Sequence, residues 1–169
     1  GEFVVEADET DYTKWSVGIP AKMLHGVVLR RELNVFAQRT RHEPMVMLRV
    51  VFPRDFPESV PYARVVRPRF VYQTGHVTNG GAFCTELLAP QGWRPMTVDA
   101  LLHSLILTLD DGGARIQLEP DVHCATPSAA YDAAEASDSY RRALRTPGWT
   151  CGVSLQCSRG LLAAWFFVS

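Results

Sequence analysis

The chain has 169 residues, of which 47% are hydrophobic and 21% charged, a composition typical of a folded globular domain and unlike that of a disordered segment. Its 17 basic and 18 acidic residues give a net charge of −1, which offers no broad attraction to nucleic acid. The four cysteines are too sparse for the disulfide framework of a small secreted domain, so a reducing compartment, cytoplasmic and/or nuclear, is expected.

The two ends of the sequence predict neither export nor a membrane span. Residues 1–12 are acidic and lack the basic and apolar regions of a secretory signal. The apolar run LLAAWFFV at 161–168 is far shorter than the roughly 20 residues that cross a hydrocarbon core. No internal repeat or linker divides the chain, so we predict one domain over residues 1–150 and a C-terminal extension of unknown role over 151–169.

The first part of the sequence predicts an antiparallel meander of strands. Residues 3–19 place β-branched and aromatic side chains on both sides of a polar turn, which is typical of strand, turn and strand. Further strands are predicted at residues 34–38, 45–52 and 62–66. The last of these lies inside a loop that four prolines make rigid.

Two helices are predicted after these strands. The first covers residues 97–109, with Thr97 as its N-terminal cap and apolar residues at every third or fourth position. The second begins after Ser128, which serves as its cap, and runs to about Leu144. Because strands come first and helices last, the sequence predicts an α+β fold.

Four motifs follow one another between residues 52 and 109. They are FPRDFPESVPYARVVRP (52–68), GGAFCTELL (80–88), QGWRP (91–95) and TVDALLHSLILTL (97–109). As an ordered set they resemble the core of the ubiquitin-conjugating enzymes, and most closely their Q branch. There they correspond to the aromatic-proline loop with its short strand, the segment of the active cysteine, the Trp-x-Pro loop and the helix that follows. The resemblance implies the ubiquitin-conjugating-enzyme fold.

Cys84 is the candidate nucleophile. Residues 70–85 mix glycines with polar residues and predict an irregular, exposed segment, which suits a thiolate that must meet another protein. The resemblance implies that Cys84 accepts ubiquitin or a ubiquitin-like protein from the activating enzyme as a thioester. It then transfers the modifier to a substrate lysine, usually with a RING-type or other ligase, and without a metal or organic cofactor. The remaining cysteines lack the spacing of structural zinc and are interpreted as structural or incidental: Cys124, Cys151 and Cys157.

A second function stays open, because this sequence departs from the family pattern in two places. The His-Pro-Asn triplet upstream of the cysteine is absent. The family also opens with a helix that helps bind the activating enzyme, whereas this chain starts in strand-like sequence, so the N-terminal helix is expected to be missing. Relatives of this fold that lack a working cysteine serve as binding partners. The alternative is therefore a catalytically weak or inactive ubiquitin-binding or scaffold variant.

The absent triplet matters for the oxyanion that forms during acyl transfer. In the family its asparagine lies eight positions before the cysteine, and here His76 stands at that position with Asn79 three residues further on. His76, Asn79 and backbone N–H groups are the candidates for oxyanion support. A histidine that only shapes the loop is an equally good interpretation of His76.

Two acids follow the predicted helix. Asp110 and Asp111 lie near the place where many family members have an acid beside the active cysteine, so they could orient or deprotonate the incoming lysine as an acidic gate. The competing interpretation is ordinary helix-stop and turn chemistry, because Asp111 is followed by two glycines.

Two loops form the predicted ligase-binding surface. The resemblance implies that the tryptophan of the QGWRP motif packs near the cysteine while its loop helps receive a RING ligase. The residues of the surface are Phe56, Pro57, Glu58, Trp93, Arg94, Pro95 and Met96. Glu58 stands where the family has an apolar side chain. We therefore expect weak contact with ordinary RING domains, and we expect Glu58→Phe to increase ligase-stimulated discharge.

Overall fold

The computed structural model describes residues 1–145, in which four antiparallel strands form one sheet in the order β1-β2-β3-β4. Three α-helices accompany the sheet, and the predicted α+β architecture is confirmed. The elements are β1 Val4–Ala7, β2 Lys14–Pro20, α1 Val27–Thr40, β3 Met45–Val51, β4 Tyr62–Arg67, α2 Val98–Asp111 and α3 Ala133–Arg145, with short 3-10 turns at Ala21–Met23 and Glu86–Leu88.

The sheet has one face in the core and one face partly open. Val17 on β2 lies opposite Leu48 on β3, and Leu48 lies opposite Val65 on β4, so these three side chains form a continuous apolar row. All three are almost completely buried. The alternation of buried and half-buried residues along β3 is the period of two that a strand with one covered face requires.

Helix α1 replaces a predicted strand. Residues 34–38 were expected to be extended, but they lie inside α1, so that prediction is wrong. The helix is stable there because Leu29, Leu33 and Phe36 recur at helical spacing and bury one face against the core. Glu32 on the same face accepts hydrogen bonds from the Ile116 backbone at 2.8 Å and the Arg115 side chain at 2.7 Å. This first helix of the described chain follows β2 instead of preceding the sheet.

Helix α2 forms where the apolar spacing predicts it. The Thr97 hydroxyl accepts the Ala100 backbone N–H at 3.2 Å, which confirms the predicted cap. The helix continues two residues beyond the predicted end, to Asp111, and Gly113 then takes a left-handed conformation with φ of 58°. Its buried side chains are Leu101, Leu102, Leu105, Ile106 and Leu109.

Helix α3 begins later than the sequence suggested. Ser128 was expected to cap it, but the helix starts at Ala133 and Asp132 is the capping residue. The Asp132 carboxylate accepts the Glu135 N–H at 2.7 Å, and the Glu135 carboxylate accepts the Asp132 N–H at 3.2 Å. This reciprocal capping box satisfies backbone donors that a start at Ser128 would leave to other partners. The predicted boundary at residue 150 and the extension 151–169, with Cys151 and Cys157, lie outside the described residues.

Two kinds of feature are absent from the described part of the chain. None of the helices within residues 1–145 is long and apolar enough to cross a membrane. The same residues contain no group of three or more His, Cys, Asp or Glu side chains that could hold a metal ion.

Candidate functional site

The segment before Cys84 is a tight hairpin. Val77 and Phe83 form an antiparallel bridge, the Thr78 N–H donates to the Ala82 carbonyl at 2.8 Å, and the Gly81 N–H donates to the Thr78 carbonyl at 2.9 Å. We call residues 77–83 the hairpin. Residues 70–85 contain no regular strand or helix, as predicted, but the expectation that the segment is exposed is wrong, because all residues from Val77 to Cys84 except Asn79 are buried.

The hairpin is tied to the edge of the sheet beside β4. Arg64 and Ala82 form an antiparallel bridge, and the Val65 N–H donates to the Gly81 carbonyl at 2.8 Å. Val77 and Phe83 are buried in the core formed by the sheet and helices. Hydrogen bonds on one side and buried side chains on the other therefore fix the backbone that leads to Cys84.

Cys84 lies at the open end of the hairpin and is buried. Its backbone N–H donates to the His76 carbonyl at 2.8 Å, which continues the hairpin pairing by one residue. Only 4% of its surface is exposed, so the expectation of an exposed cysteine is wrong. Cys84 is also disulfide-bonded in this structure. A thioester requires a free thiolate, so this bond would have to be reduced before Cys84 could react.

The two candidates for oxyanion support lie at different places on the hairpin. His76 is exposed, directly across from Cys84, and has a left-handed backbone with φ of 53°. It sits against the end of α2, because a Cβ at Gly112 would lie 2.7 Å from its Cδ2 atom. Asn79 is exposed in the turn at the opposite end of the hairpin. The backbone therefore brings His76 next to Cys84 and does not bring Asn79 there.

The two predicted acids have different surroundings. Asp110 accepts the His25 N–H at 3.0 Å and the Gly26 N–H at 2.9 Å, so both of its carboxylate oxygens hold the start of α1. The start of α1 favours a negatively charged partner such as the Asp110 carboxylate, because the first N–H groups of a helix have no partner inside the helix. Asp111 is exposed at the last position of α2. Asp110 thus has a structural task, and only Asp111 keeps an exposed carboxylate.

The two loops of the predicted ligase surface contact each other. The Trp93 indole N–H donates to the Pro57 carbonyl at 2.8 Å, and the Trp93 ring lies 6.2 Å from the Phe56 ring. Phe56 in turn packs edge-on against Phe52 at 4.9 Å. Trp93 is 5% exposed, so it is a core residue that also joins the loops.

The outer residues of these loops remain accessible. Glu58, Arg94 and Pro95 are exposed, and Met96 is half-buried against the core. Arg94 donates to the neighbouring Trp93 carbonyl at 2.9 Å, and the Glu58 N–H donates to the Asp55 carbonyl at 2.9 Å. The seven predicted residues therefore form one joined pair of loops with a polar outer edge.

Sequence reasoning missed a polar cluster around Arg69 and Tyr131 that packs on the hairpin. The Arg69 guanidinium pairs with the Glu135 carboxylate at 2.7 Å and lies 4.4 Å from the centre of the Tyr131 ring. The only local signal was the Asp132 and Glu135 capping pair, which fixes where α3 begins. Nothing in the sequence near Arg69 indicates its partners some 60 residues away.

Curated relatives of the chain carry the name of one enzyme family. A ubiquitin-conjugating enzyme E2Q-like protein of Drosophila melanogaster is 33% identical over 110 residues, which are 63% of this chain and 34% of that protein. The ubiquitin-conjugating enzyme E2Q-like protein 1 of Homo sapiens is 42% identical over 72 residues, 42% of this chain and 44% of that protein. The ubiquitin-conjugating enzyme E2 Q1 of Homo sapiens is 28% identical over 142 residues, 83% of this chain and 31% of that protein.

The chain therefore spans between about a third and under half of the length of these relatives. No protein-family model matches the sequence. Among solved structures, a ubiquitin-conjugating enzyme E2 from Plasmodium falciparum has a TM-score of 0.44 and 16% identity, over 63% of this chain and 68% of that one.

Proposed function

We propose that this chain, a homologue of the Q-branch ubiquitin-conjugating enzymes, carries ubiquitin or a ubiquitin-like protein as a thioester on Cys84. The observation that carries the proposal is the place of Cys84 on a backbone fixed by the hairpin and the sheet. A nucleophile that meets a macromolecular thioester needs such a fixed backbone.

The proposed reaction is two successive acyl transfers. The Cys84 thiolate attacks the carbonyl carbon of the activating enzyme's thioester; a new carbon–sulfur bond forms and the old one breaks, releasing the activating enzyme's thiolate. A lysine amine then attacks the carbonyl carbon on Cys84. The tetrahedral intermediate collapses to an amide, Cys84 leaves as thiolate, and the proton of the amine passes to a base or to water.

Oxyanion support in this proposal comes from the His76 side of the hairpin. His76 is the residue directly across from Cys84, and its exposed side chain lies against the end of α2. The turn that holds Asn79 lies at the far end of the hairpin. Losing one preorganised donor costs roughly 10²–10³ in rate. We expect His76→Ala to slow discharge to free lysine while charging suffers less, and Asn79→Ala to leave discharge unchanged.

A ligase is proposed to dock on the two joined loops. Trp93 and Phe56 fix their shape, and the exposed Glu58 lies on the outer edge. A charge there disfavours an apolar partner surface. Partner choice is thus proposed to differ from that of relatives with an apolar residue at this position.

The thioester assay tests the proposal. The chain is first reduced and the reductant removed, because Cys84 is disulfide-bonded in this structure. It is then incubated with activating enzyme, ATP and ubiquitin, and the products are separated on a non-reducing gel. Wild type is expected to give a band that thiol reagents abolish, and Cys84→Ser is expected to give a band that they do not, because an oxyester resists them.

Cys124→Ser is the matched control, since Cys124 is the other described cysteine, is free and is also buried. It is expected to charge like wild type. Charging that persists in Cys84→Ala, or wild type that never charges while it still binds ubiquitin, would overturn the proposal. The second result would favour the binding or scaffold variant.

A further inference from the structure

One cluster of polar contacts has no part in the proposed acyl transfer. The Arg69 guanidinium donates to the Ala129 carbonyl at 3.1 Å, the Ala130 carbonyl at 3.0 Å and both Glu135 oxygens at 2.8 and 2.7 Å. The Glu135 hydrogen bond holds the Arg69 pKa above its usual value. The guanidinium also stacks on the Tyr131 ring. We call Arg69 with Ala129, Ala130, Tyr131 and Glu135 the latch.

The latch contacts one side of the hairpin through Tyr131. The Tyr131 N–H donates to the Val66 carbonyl at 2.8 Å, and its hydroxyl accepts the Phe70 N–H at 2.9 Å. The ring covers Gly81, where a Cβ atom would lie only 2.7 Å from it. Gly81 also has φ of 94°, so any side chain there meets both strain and the ring.

The latch also fixes the turn of the hairpin. A Cβ at Gly80 would overlap the Glu135 carbonyl oxygen and the Ser139 hydroxyl. Thr78 and Ser139 share a buried hydrogen bond of 2.9 Å between their hydroxyls. Segment 131–139 therefore holds the turn through close packing and a directional bond, while β4 holds one strand of the hairpin.

We propose that Arg69 is a positioning residue for Cys84, acting through the latch and the hairpin. The hairpin is short and paired from its turn to the bond between the Cys84 N–H and the His76 carbonyl, so a shift of the turn is passed to Cys84. The inference rests on the proposed function for its catalytic consequence. The placement of Cys84 by the latch can be measured without that function.

The kinetic test uses Arg69→Lys, which keeps the charge and loses the planar fork that reaches four acceptors. A misplacement of about 1 Å costs on the order of 10²-fold in rate, so a partial loosening is expected to lower kcat for discharge to free lysine about tenfold. The KM for lysine should stay unchanged, because Arg69 does not touch the amine. Thr78→Val removes only the hydroxyl bond to Ser139 and should lower kcat by a smaller factor.

Arg39→Lys is the matched control. Arg39 also bonds a backbone carbonyl and a carboxylate, Leu118 at 3.2 Å and Glu119 at 2.6 Å, but on an exposed surface. It is expected to discharge like wild type. If Arg69→Lys folds and discharges at the wild-type rate, or if Arg39→Lys loses as much, the inference is wrong.

Alkylation of Cys84 by iodoacetamide, after reduction and read by site-resolved mass spectrometry, tests the placement alone. Arg69→Lys should alkylate Cys84 several times faster than wild type, because Cys84 is nearly buried when the hairpin is held. Val46→Ala, a core variant of β3, is the control for global unfolding, because it should lose at least as much stability as Arg69→Lys. If Arg69→Lys accelerates alkylation no more than Val46→Ala does, the inference is wrong. Should wild type fail to charge with ubiquitin, the proposed function fails while this comparison still decides the role of Arg69.

Discussion

The α2 helix and the hairpin before Cys84 are held by different kinds of interaction. α2 contributes Leu101, Leu105 and Leu109, each 0% exposed, so its attachment comes from apolar area removed from water. The hairpin also buries Val77, Ala82 and Phe83, but its turn is fixed by hydrogen bonds and by close packing on glycines. Apolar burial stabilises without a preferred direction, whereas hydrogen bonds and steric fit set a backbone position. The stability of the protein and the position of Cys84 should therefore respond to different substitutions.

The largest expected loss of stability belongs to α2. Leu105→Ala should lower the free energy of unfolding by about 2–5 kcal/mol, because it removes a completely buried side chain and leaves a cavity. Urea denaturation measures this loss. Leu107→Ala on the same helix is the control, since Leu107 is 52% exposed and should cost less than about 0.5 kcal/mol. In the folded fraction the Cys84 amide should keep its protection from hydrogen exchange. Lost protection under native conditions would contradict the separation of the two regions.

Gly80→Ala should have the opposite effect to Leu105→Ala and disturb the backbone of the hairpin more than the apolar core. The added methyl group must displace either the turn or the first turn of α3, at about 1–3 kcal/mol, because it overlaps the Glu135 carbonyl. Hydrogen exchange at the Thr78 and Gly81 amides should accelerate more than exchange in α2.

Gly113→Ala provides the comparison for Gly80→Ala. A Cβ at Gly113 meets no atom within 4 Å, although its φ of 58° strains any side chain. It should cost about 1 kcal/mol without affecting the hairpin amides. Equal acceleration in both variants would show that the turn is not held by α3.

The protein should lose stability at high pH, because Tyr131 of the latch has a raised pKa. Burial raises the pKa of Tyr131 to about 12, although the Phe70 N–H opposes this. Because the folded pKa lies above the unfolded value of 10, the stabilisation is complete below pH 10 and is lost as the pH rises towards 12. The loss should be about 1 kcal/mol between pH 10 and 11. Urea midpoints of wild type and Tyr131→Phe across this range measure it, and parallel curves would contradict it.

Much of the fold could be predicted because its signals are local and periodic. The β1–β2 pair, β3, β4 and α2 follow from alternating or helical spacing of apolar residues and from the Thr97 cap. Helix α1 was missed over residues 34–38 because a short apolar stretch is ambiguous between strand and helix. Its buried face, with Leu29 two turns and Leu33 one turn before Phe36, is the signal that decides the question.

The candidate site was predictable only as far as its motifs reach. Cys84 and the Trp93 loop stand in recognisable segments, and Trp93 does join the loop of Pro57. The burial of Cys84 and the latch depend on contacts between residues far apart in the chain, such as Arg69 with Glu135. Spacing along the sequence carries no information on such contacts.

The smallest expected effect separates the two acids at the end of α2. Asp110→Ala should lower the free energy of unfolding by about 1 kcal/mol, because it leaves the His25 and Gly26 N–H groups at the start of α1 without their acceptor. Asp111→Ala removes an exposed carboxylate and should change stability by less than about 0.5 kcal/mol. Discharge to free lysine should follow the opposite order if the exposed acid assists the amine, with Asp111→Ala slower than Asp110→Ala in molecules that are equally folded. Asp110→Asn, which keeps one acceptor oxygen, should recover part of the lost stability. Slow discharge in a stable Asp110→Asn variant, with Asp111→Ala at the wild-type rate, would show that the acid holding α1 also acts on the lysine.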